Sequence, residues 1–294
     1  MKRRAMPKWS MAAPAMAWWL FFFVVPGAWI AFYSLGTKPP PGEGAVSMET
    51  LSIANYVAVT SELFLRIFWI TIRTAGIGTI ACLLVGFPVA YAIAYHVRPQ
   101  WRVGLLFLLV LPYWTSFLLR TFAWRIILAP EGWLSQTLRH AGVLDMPIGL
   151  LDTNAAVQLG IVYNYLPLMI LPIFVALDRI DPALRHASMD LGAGPLRTLF
   201  SVTIPLAAPG IAGGLLLTFI LAAGDYVVPA ILGGAKGLMV GNLVATQILA
   251  SQNLPMGAAM AILLIGMLAL VVVTAQALLQ VTQRTLQVVR GPAM

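Results

Sequence analysis

The chain has 294 residues, of which 60% are hydrophobic and only 10% charged, and its mean hydropathy is +0.89. A soluble domain typically carries about 25% charged residues, so this composition describes a polytopic membrane protein and excludes an ordinary globular enzyme. The net charge of +8 is no footprint of nucleic-acid binding, because the basic residues sit on short connections between apolar runs and form no patch interleaved with aromatics. Cys82, the single cysteine, lies in an apolar stretch and reads as a small core residue; it supports neither a disulfide framework nor a cysteine metal site.

In chain order, a basic start (Lys2, Arg3, Arg4, Lys8) precedes an apolar run over about 11–35. That run is longer than a secretory signal core and long enough to cross a bilayer, which takes about 20 residues. Residues 36–62, with Pro39, Pro40 and Pro41, read as an external loop. A second span is expected over 68–97, interrupted by Pro88, and a basic turn from His96 to Arg102 leads to a third over 103–127. Residues 128–152 read as an external connection with a short helix near Trp133–Arg139. A fourth span over 154–177 delivers a polar segment, 178–206, to the side from which the chain started. A fifth span over 207–232, an outer or partly re-entrant loop from Gly233 to Pro255 and a sixth span over 256–279 complete the series. Residues 1–10 and 283–294 are thus short tails flanking a membrane domain over 11–282.

Charge supports this order. Lys2, Arg3, Arg4, Lys8, Arg98, Arg102, Arg179, Arg185, Arg197, Arg284 and Arg290 fall on one side; Lys38, Arg139 and Lys236 fall on the other, with Arg66 at a membrane edge. The excess of cations marks the cytoplasmic side and predicts both termini inside. Arg73 is expected to snorkel to the outer interface. No internal repeat of the kind found in inverted-repeat secondary transporters is visible.

Segment 178–206 carries the signals of a short water-facing helix. Asp181 suits the N-cap, Pro182 the first helical position and Gly192 the stop. Leu184, Ala187, Ser188 and Leu191 fall at i, i+3, i+4 and i+7 and make one small-to-apolar face. Such a face outside the bilayer needs a cover. The segment reads either as a docking element that lies in a partner's groove or as an amphipathic connector on the membrane surface.

The same residues resemble the cytoplasmic loop of permease subunits of ATP-binding-cassette importers, which runs Glu-Ala-Ala, three residues, Gly, nine residues, Ile-x-Leu-Pro. Here His186-Ala187-Ser188 is followed after three residues by Gly192, and nine residues later by Val202-Thr203-Ile204-Pro205. Two positions depart from the pattern: His186 replaces Glu and Ser188 replaces Ala, and an imidazole cannot reproduce the charge of a carboxylate. The resemblance runs from about Asn55 to Ala277. It includes Leu111-Pro-Tyr-Trp-Thr-Ser-Phe117, Arg120-Thr-Phe-Ala-Trp124, Tyr163-Asn-Tyr-Leu-Pro167, Gly224-Asp-Tyr226 and Leu232-Gly-Gly234, which are similar to the spermidine/putrescine-type branch.

The resemblance implies an all-α membrane protein with six transmembrane helices and the MetI-like fold of type I importers, in a bacterial inner membrane. It implies a second permease subunit, two copies of a cytoplasmic ATPase and an external solute-binding protein, with lipid around the spans and no nucleic acid. The coupling residues would be Leu184, His186, Ala187, Ser188, Asp190, Leu191, Gly192, Ile204 and Pro205. The chain itself would bind no cofactor and be no enzyme, ATP and Mg belonging to the ATPase subunits. In keeping with this, no G-x-x-x-x-G-K-[ST] loop occurs, and His96, His140 and His186 lack metal-ligand spacing. The solute implied first is a polyamine; opines and amino-phosphonates are alternatives within the branch, and an ion-gradient-driven transporter is the alternative outside it.

Inside the membrane, Asp225 is expected to be paired or hydrated. Arg120 and Arg125 lie at similar depth, and one reading is a structural ion pair or hydrogen-bonded corner that holds the third and fifth spans together. The competing reading is a wall of the translocation path. Tyr113, Trp114, Tyr163, Tyr165 and Tyr226 either line that path, where aromatic faces attract an organic cation, or pack and sit in interfacial belts. Gly210, Gly213 and Gly214 read as a close helix-packing face.

Overall fold

A computed structural model describes residues 8–40, 42, 44–142, 149–234 and 237–289. Lys2, Arg3, Arg4, Lys236 and Arg290, counted above for orientation, lie outside these residues, as do the side chains of Lys8 and Arg284. Among the described residues the chain is helical, with one isolated bridge between Thr37 and Ser47. In order the helices are α1 (Lys8–Trp19), α2 (Val25–Tyr33), α3 (Ala54–Val59), α4 (Glu62–Tyr95), α5 (Pro99–Val110), α6 (Phe117–Leu128) and α7 (Trp133–His140). They continue with α8 (Asn154–Asp178), α9 (Pro182–Asp190), α10 (Pro195–Thr198), α11 (Ile204–Gly224), α12 (Val227–Leu232), α13 (Val240–Ala245) and α14 (Leu254–Val289).

Five helical stretches are long and apolar enough to cross a membrane: Ala12–Tyr33, Glu62–Tyr95, Asn154–Asp178, Pro195–Gly224 and Leu254–Thr274. A sixth is a broken pair, Pro99–Trp114 with Phe117–His140, bent by 87°. The expected continuous span over 103–127 is therefore interrupted. Pro112 has no N–H to give and disfavours a regular turn behind it; Leu111–Trp114 tightens into a 3-10 turn, and Thr115 is extended. Thr115 closes the break by donating its hydroxyl to the Pro112 carbonyl at 2.7 Å. The expected fifth span over 207–232 also stops early, at Gly224, where Asp225 is extended. Segment 233–255, expected as an outer loop or a partly re-entrant one, holds α13 and a π-helical turn at Thr246–Ala250.

The chain divides into two compact units, one of residues up to Leu65 together with Leu243 onward, the other Arg66–Asn242. In the first, α1 and α2 are joined by a π-helical turn at Leu20–Val24 just before Pro26. From Ala12 to Tyr33 the stretch is strongly apolar, with Trp18, Phe21, Phe23 and Trp29 exposed, as a lipid-facing helix requires. α14 packs against α2 and α3. Asn55 ties α3 to the end of α2 by donating its amide to the carbonyls of Ser34 and Gly36.

In the second unit α8 is the axis. Thr153 caps its start by accepting from Ala156 N–H, and Ile161, Met169, Ile170, Ile173 and Leu177 are fully buried along it. α11 lies against α8 through small residues. A Cβ on Gly210 would stand 2.5 Å from the Pro172 carbonyl and 2.4 Å from the Ala176 Cβ; one on Gly214 would stand 3.1 Å from the Met169 carbonyl. Gly213, expected on the same face, has open space beside it. Close backbone approach is how membrane helices gain packing energy where lipid offers no hydrophobic drive. Gly210→Val is expected to cost about 2–3 kcal/mol by overpacking, read as a lowered melting temperature of the purified subunit in detergent.

Candidate functional site

Two constellations belong to the second unit. The first is built on α9. Asp181 accepts from Ala183 N–H at 2.9 Å, Pro182 opens the helix, and Gly192 ends it at φ +84°. Ala193 N–H returns to the Ser188 carbonyl at 3.1 Å and Gly192 N–H to that of Met189 at 2.9 Å, a left-handed C-cap that needs glycine. The helix and its stop thus form where the sequence placed them. The apolar face is open: Leu191 is 89% and Leu184 49% exposed, and Ala187 is exposed with them. Leu184, Ala187, Ser188, Leu191, Arg197 and Val202 line a cleft of about 420 Å³ on this side of the helix. His186 and Asp190 are exposed beside it.

Ser188 hydrogen-bonds to Thr198 at 3.1 Å and joins α9 to α10. From there a π-helical turn at Leu199–Thr203 runs into Ile204 and Pro205, the first residues of α11. Proline at 205 and 209 withholds N–H groups from that stretch, which is where a helix adopts a wider turn. The spacing noted in the sequence therefore links an exposed helix, across the turn at Leu191–Gly194, to a helical stretch that runs unbroken from Pro195 into the span.

The other side of α9 carries residues that sequence reasoning counted only as inside charge or apolar span. Arg185 donates from Nη2 to the Tyr91 hydroxyl at 3.0 Å, and its guanidinium lies 3.8 Å from the Tyr95 ring centroid and 5.6 Å from that of Tyr91. Tyr95 donates its hydroxyl to the Leu177 carbonyl at 3.1 Å. Next to it Asp178 pairs with Arg102 at 2.6 Å, the one ion pair among the described residues. Tyr91 and Tyr95 are spaced i, i+4 at the end of α4, a signal visible in the sequence but without an evident partner there.

The second constellation lies within the membrane region, on α6, α8 and the α11–α12 junction. The Asp225 ion pair with Arg120 or Arg125 is not formed. Asp225, 7% exposed, turns Oδ1 to the backbone, accepting from Val227 N–H at 2.8 Å and Val228 N–H at 3.3 Å, and so caps α12. Its Oδ2 is buried, with Tyr165 beside the carboxyl. Arg120, 9% exposed, lies 4.6 Å from the Tyr113 ring centroid and 5.9 Å from that of Phe117, its Nε unpartnered. Phe117 in turn meets Tyr165 at 6.5 Å. The Tyr113 hydroxyl donates to the Asn164 carbonyl, holding the broken span on α8. Asn164 is 1% exposed and leaves its Oδ1 unpartnered.

Arg125 does bridge to the α12 segment, but by donating to the Ile231 carbonyl at 2.6 Å. Tyr113, Tyr165, Arg120 and Asp225 are thus chained together, with Phe117 and Asn164 added. The other candidate aromatics have separate contacts: Trp114 packs edge-on against Phe107, Tyr163 against Trp124, and Tyr226 is exposed with its carbonyl accepting from Asn242. A buried carboxyl, a buried amide oxygen and a cation held by aromatic faces together make a polar spot among apolar helices.

Comparison with known proteins places this architecture. The family described as binding-protein-dependent transport system inner membrane component matches residues 8–287. The chain is 38% identical over 256 residues to the spermidine/putrescine transport system permease protein PotB of Haemophilus influenzae, covering 87% of this chain and 88% of that protein. It is 35% identical over 257 residues to PotB of Escherichia coli, with 86% and 91% covered. To the inner membrane ABC transporter permease protein YdcU of Escherichia coli it is 36% identical over 231 residues, with 75% and 74% covered. Its fold is similar to that of a chain in the crystal structure of a bacterial ABC transporter that imports alginate, with a TM-score of 0.74, 16% identity and coverage of 92% and 93%. A spanning helical bundle of the MetI-like kind, an exposed short helix between its fourth and fifth spans, and matches of this length agree with one another: the chain belongs to the family of binding-protein-dependent transport system inner membrane components, multi-pass permease subunits that are not themselves enzymes.

Proposed function

We propose that this chain is one of two permease subunits of an ATP-driven importer of polyamines, with both of its termini in the cytoplasm. The observation that carries the reading is the open apolar face of α9, from Leu184 to Leu191, on a helix whose ends are fixed by Asp181 and Gly192. That face fits a groove on a cytoplasmic ATPase subunit, where ATP and Mg reside. One chain supplies one such helix, and an ATPase dimer presents two grooves, so a second permease subunit completes the assembly. A structure similar to this chain contains a periplasmic protein bound to its alginate ligand, which supports delivery of the solute by an external binding protein. ATP-driven closure of the ATPase pair moves α9, opens the path outward for the solute, and hydrolysis resets it.

The names of the PotB relatives support a polyamine as solute. The chemistry of the membrane spot is compatible: the Asp225 carboxyl can turn an oxygen to an ammonium group, and Tyr165 and Tyr113 offer rings. Arg120 favours a second reading, because a buried cation with no carboxylate partner among the described residues suits an anionic group such as that of an amino-phosphonate.

The test is ATPase activity of the complex in nanodiscs, assembled with the partner permease and ATPase and challenged with binding proteins loaded with different solutes. Stimulation by the polyamine-loaded protein, lost on deleting residues 183–192, is the expected result. Stimulation by an amino-phosphonate-loaded protein alone would overturn the polyamine assignment.

A further inference from the structure

A coupling helix is useful only if its displacement reaches the spans, and α9 is attached to its own subunit by few groups. At its C-terminal end the attachment is the Ser188–Thr198 hydrogen bond and the chain itself. At its middle it is Arg185, whose guanidinium lies at 3.8 Å over Tyr95 and donates to Tyr91 at 3.0 Å. The Arg185 Nε is buried and unpartnered, and no carboxylate pairs with this cation among the described residues; the nearby Asp178 is taken by Arg102. A half-buried arginine in that state is held by the two rings. The rings belong to α4, a helix of 34 residues, and Tyr95 is also fastened to the end of α8 through the Leu177 carbonyl. A push on α9 therefore meets α4 and α8 at one point.

We infer that Arg185 is a positioning residue for transport: clamped between Tyr91 and Tyr95, it makes α9 and the cytoplasmic end of α4 move as one body. This rests on the importer reading above, since it presumes an ATPase that displaces α9. The planar guanidinium stacks and donates at the same time, which a single ammonium point charge does not do as well. Leu184 and Ala187 on α9 are exposed, whereas Arg185 meets the subunit's own spans.

The test uses the assembled importer in proteoliposomes, reading solute taken up per ATP hydrolysed, together with a spin-label distance between α9 and α4. Ala183→Cys and Ala92→Cys, both exposed positions, carry the labels on a Cys82→Ser background. With Arg185 present the distance is expected to stay the same in the nucleotide-free and ATP-bound states. Arg185→Ala is expected to broaden and shift it on ATP binding, and to lower uptake per ATP by about fivefold or more. Arg185→Lys recovers part of that loss, and Arg185→Ala with Tyr95→Leu is no worse than the more severe single variant. An unchanged distance and ratio in Arg185→Ala, no recovery by lysine, or additive losses in the double variant would overturn the assignment. A parent complex that binds no ATPase would overturn the importer reading instead, and that shows before any variant is made.

Discussion

Leu191→Asp is expected to insert and fold as the parent chain does and to lose the ATPase subunits on purification. Leu191 is 89% exposed, follows the last residue of α9, and contributes only its backbone N–H to the end of the helix. Its replacement removes no internal packing, so the melting temperature of the isolated subunit should hardly move. If α9 docks on the ATPase as proposed, the same position enters an apolar groove, where an unpaired carboxylate costs several kcal/mol, or roughly a 100-fold or greater loss of affinity. Leu191→Met, apolar and of similar volume, should retain binding. Copurification and a titration of the ATPase onto nanodisc-held subunit separate the two effects. Full ATPase binding by the aspartate variant would mean that the α9 face meets lipid or solvent.

Asp225→Asn is the second large effect. The amide oxygen can still accept from Val227 and Val228 N–H, so α12 keeps its cap and the assembly is expected to form. What disappears is the charge. If Oδ2 meets an ammonium group in transit, uptake of a polyamine should fall by about 10- to 100-fold, the scale of one partly screened charge contact. Asp225→Ala removes the cap as well and should lower stability by about 1 kcal/mol. Comparing uptake with thermal stability for both variants separates the two roles. Parental uptake by Asp225→Asn, with stability lost only in Asp225→Ala, would reduce Asp225 to a structural cap.

These expectations depend on different depths of legibility. α9 was readable because its determinants are local: an N-cap, an N1 proline and a glycine stop lie within twelve positions, from Asp181 to Gly192. The spans were readable because apolar length alone decides them. The break at Leu111–Thr115 was not, since Pro112 permits either a kink or a full interruption, and here the Tyr113 hydroxyl docks on Asn164 from another helix. Of the two structural forms open to Asp225, the ion pair is absent because backbone N–H groups two and three residues away compete for a carboxylate at the start of a helix, while Arg125 bonds a backbone carbonyl. Arg120, assigned to the same pair, found aromatic faces instead. Arg185 was invisible as anything but charge, because its partners are 94 and 90 positions earlier and only tertiary packing brings them near.

The central claim is that this subunit moves its solute with ATP. The direct measurement is uptake of labelled spermidine into proteoliposomes holding the full assembly with its binding protein outside and ATP inside, and with no ion gradient. Uptake that requires ATP, the ATPase subunits and the binding protein together is the predicted result. Uptake that persists without the ATPase and follows an imposed proton or sodium gradient would contradict it.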